Sequence, residues 1–204
     1  MNEHHRFRLT SKPEWRSTMQ PFVILLLSAI MLSLGACQSS RSLSDRMESK
    51  YSLKKRKSYI SCSRPEGISG CPLPVRVSEN SYQQMLRWID AAKGTKYHYG
   101  GTVPDGFDCS GFVQYLYSLS YQVALPRTSG DLALLGSIVR LDDLRRGDLV
   151  FFSSGGDLVD HVGIFIGDGR FAHSASKAGV TVSSLRQTWY SAHFAFGTRV
   201  IKVE

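Results

Sequence analysis

The sequence predicts an α+β domain in which helices come first and an antiparallel sheet follows. Apolar residues recur at helical spacing over Tyr82, Met85, Leu86, Ile89 and Ala92, and again over Phe112, Val113, Leu116 and Tyr117. The last third instead carries short apolar runs at 148–152, 161–166, 170–173, 179–182 and 195–203, parted by Gly and Asp turns. Helices segregated from a strand meander imply N-terminal helices packed on a central antiparallel β-sheet. A chain of 204 residues has room for one such core plus an appendage.

The appendage comes first. Residues 22–36 are almost wholly Phe, Val, Ile, Leu, Ala and Ser, preceded by Arg6, Arg8, Lys12 and Arg16 and closed by Leu34-Gly35-Ala36-Cys37. That is the grammar of a signal peptide over 1–36. The apolar run of about 15 residues falls short of the about 20 that a membrane-spanning helix needs. Leu34-Gly35-Ala36-Cys37 also resembles the lipobox of bacterial lipoproteins, which implies that Cys37 carries the lipid, becomes the new N-terminus and ties the protein to a membrane. Gln38 follows instead of the Asp that resembles an inner-membrane retention signal, so the outer membrane, facing the periplasm, is the expected site. Met19 offers a second start.

The formal charge is +8, and removing the four basic and two acidic side chains of the first 36 residues leaves about +6. Such a balance suits nucleic acid, anionic lipid or the carboxylate-rich bacterial wall alike. Export and the lack of any recognition motif argue against nucleic acid. Residues 37–79 are rich in Ser, Arg and Lys, densest at Lys54-Lys55-Arg56-Lys57, and read as a basic tether. Within it Cys62 and Cys71 bracket a turn-rich loop, and an oxidising periplasm favours their pairing as a disulfide. A metal site there lacks four ligands at zinc-finger spacing. No metal or cofactor is expected.

The folded domain is expected over 80–204. A first helix starts near Asn80 and stops at Gly94. A turn-rich stretch, 100–106, leads to a second helix with Asp108 as N-cap, which Pro126 keeps from continuing. Cys109 falls on the first turn of that helix, where unpaired amides and the helix dipole favour an anion and so a lowered thiol pKa. Once lipid and disulfide have claimed the other cysteines, Cys109 is the odd one out. A lone cysteine is more often an inert buried hydrophobe, so a base must be found.

Of the histidines beyond the signal peptide, His98, His161, His173 and His193, the pair His161 and His173 flanks one hairpin around Gly167-Asp168-Gly169. A two-residue Asp168-Gly169 loop sets Ile164 opposite His173 and puts the histidines on opposite faces. A three-residue loop, a type I turn closed by Gly169, sets Gly163 opposite His173 and brings His161 onto the same face as a diagonal neighbour. The second register is expected, and with it a proton-taking histidine and an orienting one behind Cys109.

Residues 97–101 (Tyr-His-Tyr-Gly-Gly), 106–113 (Gly-Phe-Asp-Cys-Ser-Gly-Phe-Val), 125–128 (Leu-Pro-Arg-Thr), 144–152, 161–167 (His-Val-Gly-Ile-Phe-Ile-Gly) and 171–173 (Phe-Ala-His) together resemble the NlpC/P60 family of papain-like peptidoglycan peptidases. The likeness is ordered and covers about 80–204. It implies Cys109 as nucleophile, His161 as base and His173 as the third polar residue. Tyr97 matches a tyrosine near the oxyanion. Asp108 and Ser110 match positions that, in some relatives, bind the substrate's amine end, while Arg127 and Asp148 read as structural. His98 matches no catalytic position, and His193 is expected in the last loop. The implied activity is hydrolysis of a wall-peptide amide next to meso-diaminopimelate, in the D-Ala cross-link or the D-Glu stem bond, by a monomer whose partner is peptidoglycan. The rivals are an amidase or acyltransferase of the same fold and a non-catalytic wall-binding lipoprotein.

Overall fold

The structure is a computed structural model that describes residues 42–64 and 67–204; the signal-peptide and Cys37 lipidation expectations lie outside them. The described residues belong to one compact unit. The two periodic segments are helices. In α2, Glu79–Ala92, the Ser78 hydroxyl caps the Ser81 amide and Tyr82, Met85 and Ile89 are buried. In α3, Cys109–Tyr121, Asp108 caps the first turn and Gln122 closes the helix in the left-handed region. The strand meander is a six-stranded antiparallel sheet. It contains β7 (Ser137–Val139), β8 (Leu149–Phe152), β9 (His161–Gly167), β10 (Arg170–Ala175), β11 (Gly179–Ser184) and β12 (Phe194–Arg199), in the order β11-β10-β9-β8-β12-β7.

Register sorts the sheet's two faces. Leu149 pairs with Ile164 and Phe151 with Val162, and these four join Ala172 and Phe196 in the main core with the apolar faces of α2 and α3. Val150 and Phe152, one residue out of phase, face the other way with Phe165, Phe171, Leu185 and Phe194 in a second core. Both faces of β8 are therefore dry, which is why its sequence is an unbroken Leu-Val-Phe-Phe run. After the one-turn helix α4, Ser129–Leu132, comes the short helix α5, Thr188–His193, whose Tyr190 roofs the second core.

The tether expected over 37–79 is corrected from residue 42 onward. Residues 43–52 form helix α1, Leu43–Ser52, and bury Met47 and Tyr51 in the main core. Strands β1 (Tyr59–Arg64) and β2 (Gly67–Pro72) make a hairpin that β6 (Val123–Ala124) extends, β4 (Thr102–Val103) pairs with β5 (Gly106–Phe107), and β3 (Val75–Val77) pairs in parallel with β13 (Ile201–Val203). Cys62 and Cys71 lie diagonally across the hairpin, Cα atoms 5.9 Å apart, with their sulfurs bonded. The expected 195–203 strand is split, because β12 leaves the central sheet at Val200 and the chain resumes as β13 in another. No helix of the described residues is long and apolar enough to cross a membrane.

Candidate active site

Cys109 is held where the start of α3 meets the start of β9. Its Sγ stands 4.0 Å from the Asp160 carbonyl oxygen, and the backbone amides of Val162, Ser110 and Cys109 face the sulfur. The backbone of 97–101 lies against the first turn of the helix so closely that a Cβ on Gly111 would sit 2.0 Å from the Gly101 oxygen. That approach brings Tyr97 alongside. Cys109, Tyr97, His161, Ser154, Asp160, Lys177 and Tyr190 share one cleft of about 650 Å³. Among the described residues Cys109 is the one cysteine outside a disulfide.

The two histidines meet at the wall of this cleft, where His161 lines it. His161 Nε2 lies 2.8 Å from His173 Nδ1, and His173 Nε2 lies 3.0 Å from the Ser183 hydroxyl and 3.3 Å from that of Tyr190. His173 is fully buried against Phe171, ring centroids 4.6 Å apart. Gly163 makes the juxtaposition possible: a Cβ there would meet the Phe171 ring at 2.6 Å and the His173 Cβ at 3.2 Å.

The expected turn is corrected. Gly167 pairs with Arg170, so the loop is the two-residue Asp168-Gly169, both in the left-handed region as a type I′ turn requires. The register shifts by one immediately afterwards, so that Phe165 faces Phe171 and Ile164 faces Ala172. Ile166 is the extra residue of a bulge, and the strand past it has the register expected of the longer loop.

The expected electrostatics of the thiol are also corrected. Burial pushes Cys109 up and the Asp108 carboxylate adds to this, while the three amides oppose it without prevailing. The helix start is already spent on Asp108, whose carboxylate accepts the Gly111 amide at 2.7 Å. Burial brings His161 down to about 4 and, with the neighbouring His161, His173 down to about 3. Thiol and imidazoles thus rest neutral near pH 7. Burial, with Cys109 and Asp108 nearby, raises the Tyr97 phenol, which stays a hydrogen-bond donor.

Asp108 and Ser110 stand beside Cys109 but turn inward. Asp108 accepts the Gly100 amide, the Ser110 hydroxyl and both ends of the Arg127 guanidinium, and Arg127 also reaches the Ser110 oxygen at 2.8 Å. Burial alone would raise the Asp108 carboxyl, but the Arg127 guanidinium and the Gly111 and Gly100 amides together hold it below its ordinary range. Arg127 therefore braces the start of the helix that carries Cys109; its pairing with Asp108, nineteen positions earlier, carried no sequence signal. His98 is exposed, and His193, the last residue of α5 and not a loop residue, stacks on Trp189, ring centroids 4.3 Å apart. Lys177 and the Trp189-Tyr190 pair, which line the cleft, escaped the sequence reading because they sit in no motif. Ser183 was readable from strand alternation: it pairs with Phe171 and so shares a face with His173. Among the described residues no cluster of His, Cys, Asp or Glu is arranged to hold a metal ion.

A thiol at a helix start, served by an imidazole that a second polar ring orients, is the working arrangement of papain-like cysteine peptidases. Comparison with known proteins narrows this class. Residues 94–199 match the NlpC/P60 family, and the chain belongs to it. It is 30% identical over 173 residues to the murein DD-endopeptidase MepS/murein LD-carboxypeptidase of Escherichia coli K12, covering 85% of this chain and 89% of that one. It is 31% identical to the probable endopeptidase YafL of the same organism, covering 82% and 76% of the two chains. Among solved structures, an NlpC/P60 family protein from Bacillus cereus is similar with a TM-score of 0.56 and 27% identity, over 74% of this chain and about half (53%) of that one. The chain is a cysteine-type peptidase of this family.

Proposed function

We propose that the protein hydrolyses a peptide amide of bacterial peptidoglycan next to meso-diaminopimelate, with Cys109 as nucleophile, His161 as base and His173 as its orienting partner. The observation that carries this reading is the contact of His161 Nε2 with His173 Nδ1 at 2.8 Å, on the wall of the cleft that holds the Cys109 thiol. With Nε2 engaged, Nδ1 of His161 is the nitrogen left for the thiol proton.

The sulfur attacks the amide carbonyl as its proton passes to His161. The Tyr97 hydroxyl and the Cys109 amide stabilise the oxyanion. The C–N bond breaks, His161 gives the proton to the departing amine, and a thioester remains on Cys109. Water then attacks the thioester, loses a proton to His161 and releases the carboxylic acid, and the proton returns to the sulfur. Asp108 and Ser110, through the exposed face of Arg127, form the end of the site we assign to the substrate's amine terminus. Between the two candidate bonds, the name of the DD-endopeptidase relative supports the D-Ala cross-link over the D-Glu stem bond. The murein-acting relatives support the cell envelope as location; the lipobox-like Leu34-Gly35-Ala36-Cys37 supports Cys37 as lipid anchor at the outer membrane, with the Cys62–Cys71 disulfide formed after export.

The test is incubation of the chain from Arg41 with purified muropeptides, with products identified by mass spectrometry beside Cys109→Ala and His161→Ala. Cross-linked muropeptides should fall to monomers with the intact protein alone. Unchanged muropeptides, or equal cleavage by the variants, would end the proposal.

A further inference from the structure

The ring nitrogens behind Cys109 form a chain whose direction matters. A neutral imidazole carries one N–H and one bare nitrogen. The contact between His161 Nε2 and His173 Nδ1 therefore holds a single hydrogen, belonging to one ring or the other. His173 Nε2 in turn faces two hydroxyls, Ser183 at 3.0 Å and Tyr190 at 3.3 Å, and being wholly buried it has no water to turn to.

Two directions satisfy these contacts. Running outward, a hydroxyl donates to His173, His173 donates from Nδ1 to His161, and the hydrogen of His161 is left on Nδ1, where it blocks uptake of the thiol proton. Running inward, His161 donates from Nε2, His173 accepts at Nδ1 and donates from its own Nε2 to a hydroxyl oxygen, and Nδ1 of His161 is bare. Only the inward direction survives protonation of His161. A charged imidazolium has hydrogens on both nitrogens, and the outward chain would then press two N–H groups together across 2.8 Å.

We propose that Ser183, with Tyr190 as a longer second acceptor, is a positioning residue that fixes the inward direction by accepting the Nε2 hydrogen of His173. This rests on the catalytic reading given above. Ser183 is placed for the task by register: it pairs with Phe171 on β11, and His173 with Thr181, so the Ser183 side chain leans diagonally onto the imidazole. It does not line the cleft, whereas Tyr190 does. Its effect thus falls on kcat and leaves KM alone.

The experiment reads tautomers directly, by two-bond proton–nitrogen NMR correlation of the histidine rings in the chain from Arg41, and compares kcat and KM on cross-linked muropeptide. Wild type should show the hydrogen on Nε2 of both His161 and His173. Ser183→Ala should lower kcat about tenfold at unchanged KM, and adding Tyr190→Phe should lower it about a hundredfold with the His173 hydrogen moving to Nδ1, well inside the about 10⁴-fold cost of a wrong tautomer in a serine triad. Ser183→Thr, which keeps the hydroxyl, should restore both readouts. A wild-type His173 hydrogen on Nδ1, or an unchanged kcat in the double variant, overturns the proposal. The spectra need no substrate, so a protein that leaves muropeptides intact yet shows the inward tautomers ends the catalytic reading and not this assignment.

Discussion

Tyr51→Phe isolates a single hydrogen bond between the N-terminal helix and the active site. The Tyr51 ring is buried, with its centroid 5.0 Å from that of Phe196, and its hydroxyl oxygen accepts the Val159 amide at 3.2 Å. Phenylalanine keeps the ring packing and removes only the acceptor. Val159 is itself buried, so its N–H is left without a partner, at a cost of about 1–3 kcal/mol. For a domain of this size each kcal/mol moves Tm by about 2–4 °C, so calorimetry should find a fall of about 2–12 °C. The loss also reaches the chemistry, because Val159 leads into Asp160, whose carbonyl faces the Cys109 sulfur, and then into His161. A loop free to drift there should lower kcat about tenfold, through misplaced reacting groups. Hydrogen exchange at the Val159 amide is the direct reporter and should quicken. A Tm within about 1 °C of wild type with unaltered Val159 exchange would refute the energetic argument. A normal kcat despite faster exchange would sever the link between helix and site.

Other perturbations test the neighbouring parts. Gly163→Ala forces a methyl against the Phe171 ring and the Ala172 carbonyl, so it should cost about 1–3 kcal/mol in urea unfolding and depress kcat by parting the histidines; a fully active variant would show the hairpin has slack. Asp148 is fully buried and holds Arg199 at 2.9 and 2.8 Å as well as the Arg145 amide at 2.7 Å. Arg199→Met should therefore cost about 3–5 kcal/mol by stranding the carboxylate, and Arg199→Met with Asp148→Leu should recover part of it; a single variant as stable as wild type would contradict this. Burial holds His161 near 4 and His173 near 3, so below about pH 6.5 the unfolded chain binds protons that the folded one refuses. Stability should be full above that pH and fall toward pH 4 by up to about 1.4 kcal/mol per unit for each histidine, a slope that His173→Gln should reduce; a flat profile between pH 7 and 4 would rule the burial out.

Helices α2 and α3 and the strand meander were legible because their apolar residues keep a clean period and their caps are ordinary ones: Ser78, and Asp108 ahead of Gly111. Helix α1 was not. Only Met47 and Tyr51 are buried, with Leu43 half-buried one turn before them, and so few apolar anchors among Ser, Arg and Lys have the composition of a linker. The signal that was present is the cap, where the Ser42 hydroxyl accepts the Asp45 amide at 3.1 Å. The consequence is practical. A chain cut near Asn80, where the sequence places the start of the folded domain, loses Met47 and Tyr51 from the core, about 1.5–3 kcal/mol each by burial alone. The thiol's environment was misread for a related reason. Sequence places Cys109 at a helix start, but only the structure shows that Asp108 already occupies the electrostatic opportunity and that burial decides the outcome.

The hairpin carries the most instructive error, because the wrong turn led to the right pair of histidines. Asp-Gly is the strongest two-residue turn signal, and the chain obeys it. Taken alone, that turn puts the imidazoles on opposite faces. Whether two side chains share a face depends only on how many residues are inserted between them and on no account of where. A three-residue loop inserts the odd residue at the tip; this chain inserts it one step down, as Ile166. A bulge exposes backbone that a plain ladder would pair, and something must take it up. The Tyr82 hydroxyl of α2 donates to the Ile166 carbonyl oxygen at 3.3 Å, and burial, which pushes its phenol up to about 12, keeps it a donor. The register that joins His161 to His173 is thus held from the other side of the sheet by α2. A helix that contributes no residue to the proposed catalytic set is part of what aligns the two histidines.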